Sequence, residues 1–124
     1  MKQCTIMICG ALLLASSLSL AAGPVEEQLK RIEQRAAKAA ASTVGEYAKD
    51  GLDAVGTNIA AAKAALAAGR DSEAQQQTEM AEARLNAAEA RAAEKEIAEK
   101  VAVRRAELKK SEALLERYRQ GEVN

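Results

Sequence analysis

The chain has 124 residues and no net formal charge, with 18 basic side chains against 18 acidic ones. It contains no histidine, tryptophan or phenylalanine, and about a quarter of it is alanine, whose methyl group buries little area. These counts exclude a thick core of large side chains in what is at most one small domain. The even charge balance offers no basis for nucleic acid or anionic lipid as a partner.

The first two dozen residues read as an address rather than as fold. Met1-Lys2-Gln3 is a short positive start, and residues 6–20 are apolar apart from small residues such as Ser16 and Ser17. Ser19-Leu20-Ala21 and Leu20-Ala21-Ala22 then put small residues where signal peptidase needs them, and Gly23-Pro24 breaks any helix that follows. The apolar run falls short of the roughly 20 residues of a transmembrane helix. The expectation is a secretory signal over residues 1–22, cleaved after Ala21 or Ala22, and a periplasmic protein with no transmembrane segment after cleavage. Cys4 and Cys9 both lie in that leader, and Ile6-Met7-Ile8-Cys9 lacks the small residues of a lipoprotein site. Residues 23–124 then form one alanine-rich helical domain without thiol, disulfide or imidazole.

After Pro24 the chain is dominated by Ala, Glu, Lys, Arg, Gln and Leu, all strong helix formers. Pro24 suits a first helical position, and Glu26 and Glu27 favour the positive helix end. An apolar stripe runs Val25, Leu29, Ile32, Ala36, Ala40, Val44 at the three-and-four spacing of a helix face. Glu26 with Lys30 and Glu27 with Arg31 pair on the solvent side. The pattern weakens at Lys49-Asp50-Gly51, where a kink or short break is expected. It resumes at Leu52, Val55, Ile59, Ala62 and Leu66.

Ala68-Gly69-Arg70-Asp71-Ser72 is the clearest turn, with Gly69 free to take the left-handed conformation that ends a helix. Ser72 through Gln75 fits a capping box, with Ser72 or Asp71 as the N-cap. A second long helix starts there and meets no glycine or proline before Gly121. Its stripe includes Ala74, Ala81, Leu85, Ala88 and Ala92, then Ile97, Val101, Leu108, Leu115 and Tyr118.

Arms over residues 25–68 and 72–119 are about 66 Å and about 72 Å long as helix. Matching arms joined by a tight turn predict an all-α fold, a long antiparallel two-helix coiled-coil hairpin kinked near Gly51. A turn near residue 70 sets Ile59 opposite Ala81, Val55 opposite Leu85, Leu52 opposite Ala88, Ile32 opposite Leu108 and Val25 opposite Leu115. Both stripes slip phase at one height, near residues 44–52 and 92–97, as a stutter would produce. The alternative is a three-helix bundle, with a loop at Lys49-Asp50-Gly51 folding the first arm back and the distal half of the last helix left alone.

Little chemistry is legible. The mature chain has no His or Cys for a metal, and Glu94, Glu96 and Glu99 form a charge ladder with Lys95 and Lys100 rather than a convergent oxygen cage. Ser42, Thr43, Thr57, Ser72, Thr78 and Ser111 lack a base partner, and Gly51, Gly56 and Gly69 are no phosphate loop. Neither catalysis nor a cofactor is expected. Tyr47 is either a partner-binding anchor or a ring over the seam near Gly51. Arg104 and Arg105 interrupt the stripe, either setting register or covering the seam with their stems. Val103, Leu114 and Tyr118 flank or end the stripe and are candidate interface residues. A two-helix alanine seam buries little, so self-association is expected.

From Gly45 onward, Tyr47-Ala48, Leu52, Ile59, Ala62, the run Ala65-Leu66-Ala67-Ala68-Gly69-Arg70, Ala74, Ala81 and Ala88 resemble an alanine-rich helical-hairpin domain of bacterial envelope proteins. The resemblance spans residues 45–95, with Lys49 where that family has proline. It implies a helical hairpin in the cell envelope and no assigned activity. Together these readings point to a non-enzymatic structural or adaptor protein binding protein partners or itself, with a holdase chaperone for envelope proteins as the alternative.

Overall fold

The computed structural model describes residues 23–121; the expected signal segment over residues 1–22 and its expected cleavage site lie outside them. Within that range the chain is all-α, with α1 at Pro24–Ala40, α2 at Thr43–Tyr47, α3 at Lys49–Ala67 and α4 at Asp71–Arg119.

α1 begins with Pro24, whose fixed φ suits the first turn and whose missing N–H costs nothing there. Leu29, Ile32 and Ala39 bury one face of it. The chain turns at Ser42. Its hydroxyl donates to the Ala39 carbonyl at 2.8 Å and accepts from the Val44 N–H at 3.2 Å, so one side chain closes α1 and caps α2. Gly45 makes the turn possible, because a Cβ there would stand 2.2 Å from the Ala40 carbonyl oxygen. Ala48, at φ −135° and ψ 36°, then ends α2 and starts α3.

Gly51 does not kink its helix. It lies in the first turn of α3, where a Cβ would come within 3.1 Å of the Ala88 Cβ, so glycine here lets α3 and α4 approach closely. α3 ends in a Schellman motif: the Arg70 N–H donates to Ala65 O at 2.9 Å and the Gly69 N–H to Leu66 O at 3.0 Å, with Gly69 at φ 69°. The expected capping box is not formed. α4 follows the turn directly with Arg70 as its N-cap and no side-chain cap, so Asp71 and Ser72 are already its first two helical residues. Asp71 and Glu73 serve the positive helix end by charge instead.

α1 folds back antiparallel to α3 and runs beside α4 in the same sense. Gln28 Nε2 donates to Glu82 at 2.9 Å, Arg35 Nη2 lies 2.8 Å from Glu89, and Lys63 pairs with Glu33. Leu29, Ile32, Val55, Ile59, Ala62, Ala81 and Leu85 share one core. The single arm over 25–68 is therefore corrected to three helices. Ile32 is 1% exposed in that core whereas Leu108, its expected opposite, is 58% exposed. Val25 shares a groove with Leu66 and Asp71 instead of facing Leu115.

The physical reason is coverage. A two-helix seam shields each aliphatic side chain from one side only, while folding α1 back surrounds Leu29 and Ile32 with residues from two helices. The turn stands at residues 41–48, upstream of the expected 49–51. The first arm folds back and the distal half of α4 is left alone, as in the alternative reading, but four helices form instead of three, with 49 residues in α4 against 17 in α1 and 19 in α3. As helix, α4 spans about 74 Å and α3 about 29 Å.

Candidate functional site: the free half of the last helix

The first half of α4 presents Ala74, Thr78, Ala81, Leu85, Ala88 and Ala92 to the body, in steps of four and three, each no more than 2% exposed. Small residues on this seam let three helices approach closely, and the buried Thr78 hydroxyl is satisfied by the Ala74 carbonyl at 2.7 Å. Asn58 is the one other buried polar residue among the described residues: its Nδ2 donates to Gln77 at 2.6 Å, while its Oδ1 is buried without a partner. Its spacing, three residues after Val55 and four before Ala62, places Asn58 on the buried face of α3 although its side chain is polar.

Beyond Glu96 every described residue is exposed. The next large apolar residue after Ala92 is Ile97, five positions on. At roughly 100° per residue, the stripe that starts there faces roughly 130° away from the body seam. The phase slip at 92–97, expected as a stutter shared by two arms, is thus the place where the buried seam of α4 ends. Its counterpart at 44–52 overlaps the α1–α2–α3 turns.

The outward stripe comprises Ile97 (61% exposed), Val101 (42%), Leu108 (58%), Leu115 (62%) and Tyr118 (58%). Arg104 and Ser111 complete the four-and-three spacing. Ile97, Val101 and Leu108 form a shallow groove edged by Lys100, Arg104 and Arg105. Of the other interface candidates, Val103 and Leu114 are half or more exposed but sit off the stripe, turned toward the side the body seam occupies. Along the free half, Lys100 pairs with Glu96 at 2.6 Å and Arg104 with Glu107 at 2.8 Å, which adds modestly to the helix propensity of its residues. Arg117 and Arg119 in the last turn suit its negative end.

Tyr47 sits where body and free helix meet. Its hydroxyl donates to Glu99 Oε2 at 2.5 Å, and Lys95 Nζ donates to the Tyr47 carbonyl at 3.0 Å. Because ionisation would set a phenolate against the carboxylate it now bonds, the hydrogen bond to Glu99 pushes the Tyr47 pKa up to about 12, with desolvation adding to it. Tyr47 acts as a strut within the chain, its polar end already occupied. Lys95 and Glu99 went unnoticed in the sequence as partners for α2, although their i,i+4 spacing places them on one face of α4.

Among the described residues, no three His, Cys, Asp or Glu side chains converge as a metal site, and no helix is long and apolar enough to cross a membrane. No family model, curated protein or solved structure matches the chain.

Proposed function

We propose that the chain is a non-enzymatic structural or adaptor protein of the bacterial envelope, exported to the periplasm, in which a small packed body carries a stiff helical arm that binds protein. The observation that carries this reading is the stripe Ile97, Val101, Leu108, Leu115 and Tyr118, whose members are all 42% or more exposed on the half of α4 that extends past the packed body. Its four-and-three spacing is that of one strand of a coiled coil. Large apolar residues aligned on one face of an exposed helix mark an interaction site. The leader-like residues 1–22 and the resemblance of residues 45–95 to envelope helical hairpins support the setting.

A holdase reading is favoured by the same stripe, since an apolar arm standing clear of its body can also bind unfolded chains. Site-specific photo-crosslinking in cells separates the two. A crosslinker at Leu108 should give one or a few discrete adducts if the arm is an adaptor, and a broad smear if it holds unfolded substrates. A crosslinker at Lys109, off the stripe, serves as control. No protein adduct at Leu108 would sink both readings. Fractionation with intact-mass analysis tests the setting: the recovered chain should be periplasmic and begin at Ala22 or Gly23, and one retaining Met1 would refute export with cleavage.

A further inference from the structure

We infer that the arm's partner is a second copy of this chain, paired antiparallel through residues 101–118 about a two-fold axis between Lys109 and Lys110. This rests on the reading of the stripe as a protein-binding face and specifies what binds there. Written as heptads, Val101, Leu108 and Leu115 occupy one core position, with Ile97, Arg104, Ser111 and Tyr118 at the other. The residues flanking the stripe decide orientation, because they face the partner helix's flanking residues and set pairing by charge.

Parallel pairing in register fails on every charged flank. It sets Lys100 against Arg105 of the other copy and Glu107 against Glu112, and it stacks Arg104 on Arg104 in the core. Antiparallel pairing about residues 109 and 110 instead sets Val101 against Tyr118, Arg104 against Leu115 and Leu108 against Ser111. Its flanks then bring Arg105 of each copy to Glu112 of the other, twice by symmetry. Among the described residues neither Arg105 nor Glu112 has an ion-pair partner in its own chain, whereas Lys100, Arg104 and Glu107 do. Sliding one heptad either way replaces these contacts with Arg105 on Arg105 or Glu112 on Glu112.

The length of the arm selects the same register independently. With the axis between residues 109 and 110, Arg119, the last helical residue, comes level with Lys100 of the other copy. That is one residue beyond Glu99, where the Tyr47 strut marks the end of the body. Each helix therefore stops where the other body begins, and the two bodies lie at opposite ends of the pair. A heptad further in, the tip would run alongside the body; a heptad further out, Val101 would lose its cover.

The test uses the chain as recovered from cells after export. Sedimentation equilibrium should show a monomer–dimer equilibrium. Arg105→Glu should weaken it about tenfold, since two facing pairs turn repulsive, and adding Glu112→Arg should restore it. Under parallel pairing Arg105→Glu would instead strengthen the dimer, by facing Lys100. As a second measurement independent of charge, mixed Val101→Cys and Tyr118→Cys chains should form the mixed disulfide between copies. A Val101→Cys homodimer formed more efficiently than the mixed product would overturn the antiparallel arrangement. A monomer at all concentrations that still crosslinks to another protein through Leu108 would overturn this inference and leave the adaptor reading standing.

Discussion

The two halves of α4 differ in an instructive way. Toward the body, five of its six buried positions are alanine or threonine, and Leu85 is the only large aliphatic side chain there. Past Ala92, where its buried seam ends, the same helix carries Ile97, Val101, Val103, Leu108, Leu114, Leu115 and Tyr118, all exposed. Apart from Leu85 and Met80, the large apolar residues of this helix thus sit where its own chain offers no core. Side-chain size along the helix separates a close seam within the chain, built on small residues that let backbones approach, from an exposed outward face whose area comes mostly from branched aliphatic groups.

That comparison is most directly broken at Leu85 and Leu108. Leu85→Ala should cost the body about 2–5 kcal/mol by chemical denaturation, because the site is fully buried among three helices and cannot collapse freely. Leu108→Ala should leave unfolding of the body within about 0.5 kcal/mol of the parent at low protein concentration, where the arm is unpaired. Equal losses at the two positions would mean that the arm packs on the body in solution.

The fold-back of α1 can be probed at Gly45. Gly45→Ala should destabilise by roughly 1–3 kcal/mol, because the new methyl must displace the Ala40 backbone carbonyl. Gly56→Ala, where nothing stands within 4 Å of the added Cβ, should be neutral or stabilising and serves as the matched control. Ser42→Ala should cost about 1 kcal/mol, since it removes the hydroxyl that serves both α1 and α2.

The smallest effect concerns the junction. Tyr47 titrates at about 12 in the folded chain against its ordinary 10.0, so the Tyr47–Glu99 bond contributes fully below pH 10 and is lost as pH rises toward 12. In a Tyr118→Phe background, phenolate absorbance should report this late ionisation, and Glu99→Gln should move the midpoint back down. A midpoint unmoved by Glu99→Gln would show that the strut is not closed in solution.

Much of the architecture was legible along the chain because it depends on local chemistry. Helix throughout followed from alanine, glutamate, lysine and leucine, the Gly69 turn from the one residue type that takes φ 69° without strain, and the length of α4 from the absence of glycine or proline between Asp71 and Arg119. The facing of Val55 and Ile59 with Ala81 and Leu85 followed from that turn alone, since a short connection leaves little choice of register. The outward stripe was visible too, but its periodicity could not say whether residues 25–44 or something else lay against it.

Only the tertiary structure decided that, and the reason is that apolar periodicity names a face without naming its partner. Leu29 and Ile32 suit Leu108 and Leu115 as well as they suit Val55 and Leu85. What separates the alternatives is the turn at Ser42 and Gly45, where a shared hydroxyl and a missing Cβ allow α1 to reverse within a few residues. Those features act through the local turn contacts with Ala39 and Ala40, which the apolar period does not encode. Local chemistry specified helix, turn and stripe; the reversal of α1 selected which stripe became core and which was left facing outward.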